Sequence, residues 1–251
     1  MRRTVKDSVV VVTGATSGIG GAIARTFARA GARVVATGRD QARLGAVAPF
    51  VDLALTLDLT DATSVEVAAA AALDRHGHVD VLGNNAGVGL FEPLERTSDD
   101  DLRRLLEVNL VGPARLTRAL LPSLRSRRGA IVQIASVAAR RGYARHTADC
   151  AAKHALAGWS DALRVELAGA VDVVVVNPPA VRTPFFANAG WPDFEAAHPD
   201  LRLATPDEVA AATLAATEHG AREVFVGARA RWLNGLNRLA PGLSDVLRPR
   251  R

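Results

Sequence analysis

Cysteine and tyrosine are almost missing: Cys150 and Tyr143 are the single examples of each in 251 residues. One cysteine excludes an internal disulfide. Aromatic residues make up only 4% of the chain. No apolar run reaches the ~18 residues that a membrane-spanning helix needs. The opening stretch, Met1 to Asp7, is charged and lacks the apolar segment and cleavage site of a signal peptide. The expectation is a cytoplasmic protein without a membrane partner. The formal charge is +5, with arginines gathered at the two ends as Arg2, Arg3, Arg248, Arg250 and Arg251. A nucleic-acid binder would carry a basic stripe with interleaved aromatics. Here the charges are spread among acidic neighbours, so no nucleic-acid partner is expected. Some of the positive charge is available to steer an anionic cofactor.

What is present is apolar and alternating. Hydrophobic residues make up 49% of the chain, enough for one α/β domain over residues 1–251 with a large core. Buried-strand runs fall at Ser8–Thr13, Ala32–Thr37, Val51–Leu57, Val79–Asn84, Ala130–Ala135, Val171–Asn177 and Glu223–Val226. Helical spacing fills the intervals: Ile19, Ile23 and Phe27 share one face, and longer helices run from about Ser98 to Leu124 and from about Thr147 to Leu167. Near-continuous apolar strands separated by helices imply a doubly wound sheet of about seven parallel strands, covered on both faces.

Two segments break this rhythm. Residues 184–204 hold Phe185, Phe186, Trp191 and Phe194 among prolines. An apolar loop of this length is expected to be a lid over a ligand, with a packed satellite helix as the alternative. After it, Thr205-Pro206-Asp207-Glu208 reads as a helix cap with a capping box. The second segment is a helical tail, residues 230–247, with Trp232, Leu233, Leu236, Leu239 and Leu243 on one stripe. It is open to packing on the core, to a subunit contact or to a membrane surface, and core or subunit contact is favoured.

Thr13-Gly14-Ala15-Thr16-Ser17-Gly18-Ile19-Gly20 joins the first strand to the first helix. Glycines there allow a sharp turn and close approach of backbone N–H groups to a pyrophosphate, which the helix N-terminus also favours. Asp58-Leu59 ends the third strand run, Asn84-Asn85-Ala86-Gly87 ends the fourth, Asn109 lies in Glu107-Val108-Asn109-Leu110, and Ser136 follows Ile131–Ala135. In this order, over about residues 8–227, these motifs resemble those of the short-chain dehydrogenase/reductase family. The resemblance implies a Rossmann-type fold and a nicotinamide dinucleotide held by Gly14, Thr16, Ser17, Gly18, Ile19, Gly20, Arg39, Asp58, Leu59, Asn85, Ala86, Gly87, Lys153, Pro178, Val181 and Thr183. Asn109, Ser136 and Lys153 then match the catalytic asparagine, serine and lysine. No metal is expected, and homodimers or homotetramers are implied.

The second strand ends in Thr37-Gly38-Arg39-Asp40. An acidic residue here would bind the adenosine ribose and repel a 2′-phosphate, whereas the planar fork of Arg39 pairs with a phosphate. Asp40 is free to cap the next helix. NADP(H) is favoured over NAD(H).

The family pattern Y-x-x-x-K departs here. The thirteenth position after Ser136 is Asp149, four residues before Lys153, and Tyr143 is too far upstream to take the tyrosine's place. Ionised aspartate, with its usual pKa near ~3.9, has no proton to give to a carbonyl. It is a poor acid unless strongly desolvated, and a good general base. Tyr143 and His146 lie in the loop before Lys153. Each either faces the pocket as an auxiliary proton donor or is an ordinary exposed residue. Cys150 is read as packing. Pro179 stands where the family pattern has glycine, removing an N–H from the loop at the nicotinamide end.

Three functions stay open. The first is an NADP(H)-dependent oxidoreductase with an altered proton donor, acting on a carbonyl- or hydroxyl-bearing small molecule, apolar or cyclic by its lid. The second is a non-redox cyclase, dehydratase or isomerase, of the kind used in secondary metabolism, with Asp149 as general acid/base. The third is a catalytically silent cofactor-binding protein.

Overall fold

A computed structural model describes residues 2–240 and 242. Seven parallel strands form one sheet: β1 (Val9–Val12), β2 (Arg33–Gly38), β3 (Leu53–Thr56), β4 (Val81–Asn84), β5 (Ala130–Ile134), β6 (Asp172–Asn177) and β7 (Glu223–Phe225). Their order is β3-β2-β1-β4-β5-β6-β7. The order reverses between β1 and β4, which opens a crevice at the carboxyl ends of the strands, where such sheets take their ligands.

The apolar strands are explained by cover on both faces. In β1 all four valines are buried. Val10 and Val12 pack toward α1 (Gly18–Arg29) and α9 (Pro206–His219), through Ile23, Phe27, Val209 and Ala210. Val9 and Val11 pack on the other face toward α3 (Ala62–His76), α5 (Gly112–Ser126) and α6 (Thr147–Glu166), through Val65, Leu116, Leu120 and Leu163. The period-two alternation of side chains therefore serves two cores rather than one core and solvent. Two shorter helices complete this part, α2 (Gln41–Val47) and α4 (Asp99–Leu106). At Thr205 the capping box forms: its hydroxyl accepts from Glu208 N, and Glu208 returns to Thr205 N at 2.8 Å.

Three expectations change in detail. The long helix expected over Ser98 to Leu124 is interrupted by a π-helical turn, Glu107–Val111, between α4 and α5. The lid segment contains two short helices, α7 (Phe185–Asn188) and α8 (Phe194–Ala197), so it has the satellite helices as well as the aromatic wall. The tail forms α10 (Ala228–Leu239). There Ala230 is buried and Leu233 and Leu236 are half-buried, but Trp232 and Leu239 are 62% and 87% exposed, which contradicts core packing for that part of the stripe. Leu243 lies outside the described residues. Among the described residues, no helix is long and apolar enough to cross a membrane.

Candidate active site

The turn after β1 is held by the end of β4. Thr13 Oγ1 accepts from the backbone N–H of Asn85 (3.0 Å) and Ala86 (2.9 Å). Asn85 returns its side-chain amide to Thr13 O (2.9 Å) and Gly14 O (3.3 Å). The Asn85 side chain thus braces the turn. Gly14 adopts φ +65°, and a Cβ on Gly20 would fall 2.2 Å from Gly14 O, so helix and turn touch only because both residues are glycine. Thr16 seals the other side, 2.5 Å from where a Gly38 Cβ would stand. Ser17 caps α1 without a side-chain hydrogen bond. The first-turn N–H groups of α1 are therefore available to an anion. This cradle fits a dinucleotide pyrophosphate.

At the far end, Asp40 accepts from Arg43 N (3.0 Å) and pairs with the Arg43 side chain (3.2 Å). It is committed to capping α2. Arg39 is exposed on the cleft wall and, among the described residues, makes no ion pair. Asp58 accepts from Thr60 N (2.9 Å) and Thr60 Oγ1 (2.8 Å), and the Thr60 N–H holds its carboxyl below the usual aspartate value. Leu59 is buried beside it.

The cleft has a volume of about 1870 Å³ and runs from Arg39 past the glycine-rich turn to Ser136, Asp149 and the lid. Asn109 sits in the π turn, buried behind Gly87 and Val88 rather than on the cleft surface. Its amide bonds both backbone groups of Val88, accepting from N (3.0 Å) and donating to O (2.9 Å). A Cβ on Gly87 would lie 2.7 Å from Asn109 Oδ1 and 3.5 Å from Lys153 Nζ, so these three residues converge. π turns are rare and gather at functional sites.

Asp149 and Lys153 project from α6 one turn apart. Asp149 is 4% exposed and its Oδ1 has no hydrogen-bond partner. Burial pushes its carboxyl above the usual aspartate value; the charges of Lys153 and His146 act the other way, and burial prevails. Burial likewise pushes the Lys153 amine down, against the pull of Asp149. Ser136 Oγ accepts from Ala138 N at 3.1 Å and lines the same cleft.

His146 and Tyr143 also reach the cleft wall. The Nδ1 of His146 donates to Ala144 O at 2.6 Å. Its ring sits 4.5 Å from that of Phe91, and burial lowers its pKa. Tyr143 is 38% exposed. Cys150 is buried, consistent with packing. The lid presents Phe186 stacked on Phe194 at 3.7 Å, with Trp191 edge-on to Phe194 at 5.0 Å.

On the remaining wall, Pro178 O accepts from Val137 N (3.0 Å), Val181 bridges Ala204, and Thr183 packs 3.1 Å from the Cβ position of Gly18. Pro179 lines this wall without an N–H to offer. Sequence reasoning missed Phe91, Arg141 and the α10 residues Ala230, Leu233 and Asn234, all of which line the cleft. The only signal for Phe91 was its place just after the Asn84–Gly87 motif.

This is an α/β protein with a ligand crevice at the switch point of its sheet and a glycine cradle at the crevice mouth. A sequence model described as short chain dehydrogenase matches residues 8–191. The chain belongs to the short-chain dehydrogenase/reductase family. It is 40% identical over 202 residues to dehydrogenase/reductase SDR family member 7B of Danio rerio, covering 75% of this chain and 65% of that relative. The chain therefore spans slightly less than two thirds of that relative's length. A solved short chain dehydrogenase from Burkholderia cenocepacia in complex with NADP superposes with a TM-score of 0.85 at 30% identity, over 98% of this chain and 100% of that one. The 3-ketoacyl-(acyl-carrier-protein) reductase from Brucella melitensis complexed with NADH gives 0.81 at 31% identity, over 89% and 98%.

Proposed function

We propose that this chain is an NADP(H)-dependent oxidoreductase in which Asp149 occupies the proton-transfer position, acting on a small carbonyl- or hydroxyl-bearing molecule of apolar or cyclic character. The observation that carries the reading is the burial of Asp149 in the cleft floor with Oδ1 unpartnered. An exposed aspartate could not serve as an acid, whereas a desolvated carboxyl keeps its proton to higher pH. A dinucleotide held by the glycine-rich turn would supply or accept the hydride.

In the direction of reduction, Ser136 Oγ–H donates to the carbonyl oxygen and orients it. Asp149 gives its proton to that oxygen as hydride reaches the carbon, leaving an alcohol and a carboxylate. Lys153, one turn away, offsets the new charge. In oxidation the ionised Asp149 takes the hydroxyl proton. Asn109 holds Val88 and positions the floor without touching the reacting atoms. The aromatic lid excludes water and packs against an apolar body.

Support for the phosphorylated dinucleotide comes from Arg39, which makes no ion pair among the described residues, and from Asp40, whose carboxylate is committed to capping α2. The non-redox alternative needs Asp149 ionised at rest, and burial works against that state. A silent protein has no need of a cleft open beside Ser136, and this cleft is open there. The reading includes a single domain working in the cytoplasm as a homodimer or homotetramer through the helices carrying Asn109 and Lys153. The test is NADPH oxidation over a ketone panel by wild type and Asp149→Asn. Loss of activity in the variant supports the reading, and equal activity contradicts it.

A further inference from the structure

We propose that the outer face of α10 is a docking surface for an anionic lipid bilayer. The helix is fixed in rotation by its inner side. Asn237 Nδ2 donates to Arg140 O at 2.9 Å, Ala230 is buried, and Leu233 and Asn234 line the cleft. That orientation leaves Trp232 and Leu239, two helical turns apart, as an exposed apolar ridge. By helical spacing Arg231 and Arg238 lie along one side of the ridge and Arg229 along the other; all three are exposed, and Arg229 and Arg231 also border the cleft mouth. Residues 228–239 contain no carboxylate.

The pattern of a large aromatic and a leucine flanked by arginines suits an interface, where the apolar groups enter the acyl boundary and the guanidinium groups stay at the anionic headgroups. A second copy of the chain is a poorer occupant. A two-fold contact on this ridge would set the arginines of one helix against those of the other, with no carboxylate from either helix between them. Docking here would also bring the cleft, which α10 lines from its inner side, beside the bilayer.

The test is flotation of the full chain with vesicles of phosphatidylglycerol and phosphatidylcholine in equal parts, and with phosphatidylcholine alone. The chain is expected to float with the anionic vesicles only. Replacing Arg229, Arg231 and Arg238 together by Gln should weaken that binding about 100-fold, at roughly 1 kcal/mol per basic group. The Trp232→Ala/Leu239→Ala variant should lose it as well, with wild-type melting. The native mass of each variant is measured in parallel. Absence of flotation, equal flotation on both vesicles, or a fall in oligomer mass in the Trp232/Leu239 variant with vesicle binding retained would each overturn the proposal. If the apolar variant does not fold, the arginine variant decides.

Discussion

Gly20 touches Gly14: a Cβ on Gly20 would stand 2.2 Å from the Gly14 carbonyl oxygen. The contact involves backbone, so no side-chain rotation relieves it. Gly20→Ala is expected to cost about 1–3 kcal/mol of stability, the range for overpacking. It should also reduce dinucleotide binding by displacing the turn. Isothermal titration with NADPH and thermal melting check both. Unchanged binding in a folded variant would contradict the assignment of this turn as the pyrophosphate cradle.

Arg39 is the basis of the cofactor preference. Arg39→Ala should weaken NADPH binding by about 10- to 100-fold, as expected for the loss of a charge-assisted hydrogen bond of about 1.5–3 kcal/mol. NADH binding should barely change. Equal losses for both cofactors would remove the preference.

The lid predicts a selective loss. Phe186 stacks on Phe194 at 3.7 Å and faces Phe91 at 5.3 Å across the cleft wall. Phe186→Ala should raise KM for ringed ketones more than for short acyclic ones, because only the former bury area against this wall. A uniform change across both sets would assign the stack to packing alone.

The buried acid also sets a stability expectation. The folded state raises the Asp149 pKa, so folding is favoured with Asp149 protonated. That contribution is fully present below the unfolded aspartate value and is lost as pH rises through the folded value. Asp149→Asn carries no charge and should therefore melt at higher temperature than wild type at about pH 8, with the difference shrinking toward about pH 4. A variant less stable than wild type at the higher pH would mean that the carboxylate is paired rather than merely buried.

Much of the fold was legible because its signals are local. The valine runs, the glycine-rich turn and the Thr205–Glu208 capping box each need only neighbours in sequence. That Ser136 and Lys153 share one cleft was legible from their motifs, but the electrostatics around them were not. The burial of Asp149 depends on packing around α6, and that of His146 on Phe91 and Trp191, which are distant in the chain. The π turn at Asn109 carries no residue signature. The motif placed Asn85 on the cleft but did not give the direction of its side-chain amide, which braces Thr13 and Gly14. The stripe of α10 fixed which residues share a face but not which face is covered.

The central claim is that Asp149 moves the proton. The most direct measurement is the pH dependence of kcat for ketone reduction by wild type, Asp149→Asn and Asp149→Tyr. With Asp149 as the acid, the wild-type rate is low and falls as pH rises through the raised Asp149 pKa. A loss of about 100-fold or more is expected in Asp149→Asn. In Asp149→Tyr, whose phenol reaches further and keeps its proton to higher pH, turnover should rise and the fall move to higher pH. Robust reduction by wild type with the same pH profile in Asp149→Asn would contradict the central claim.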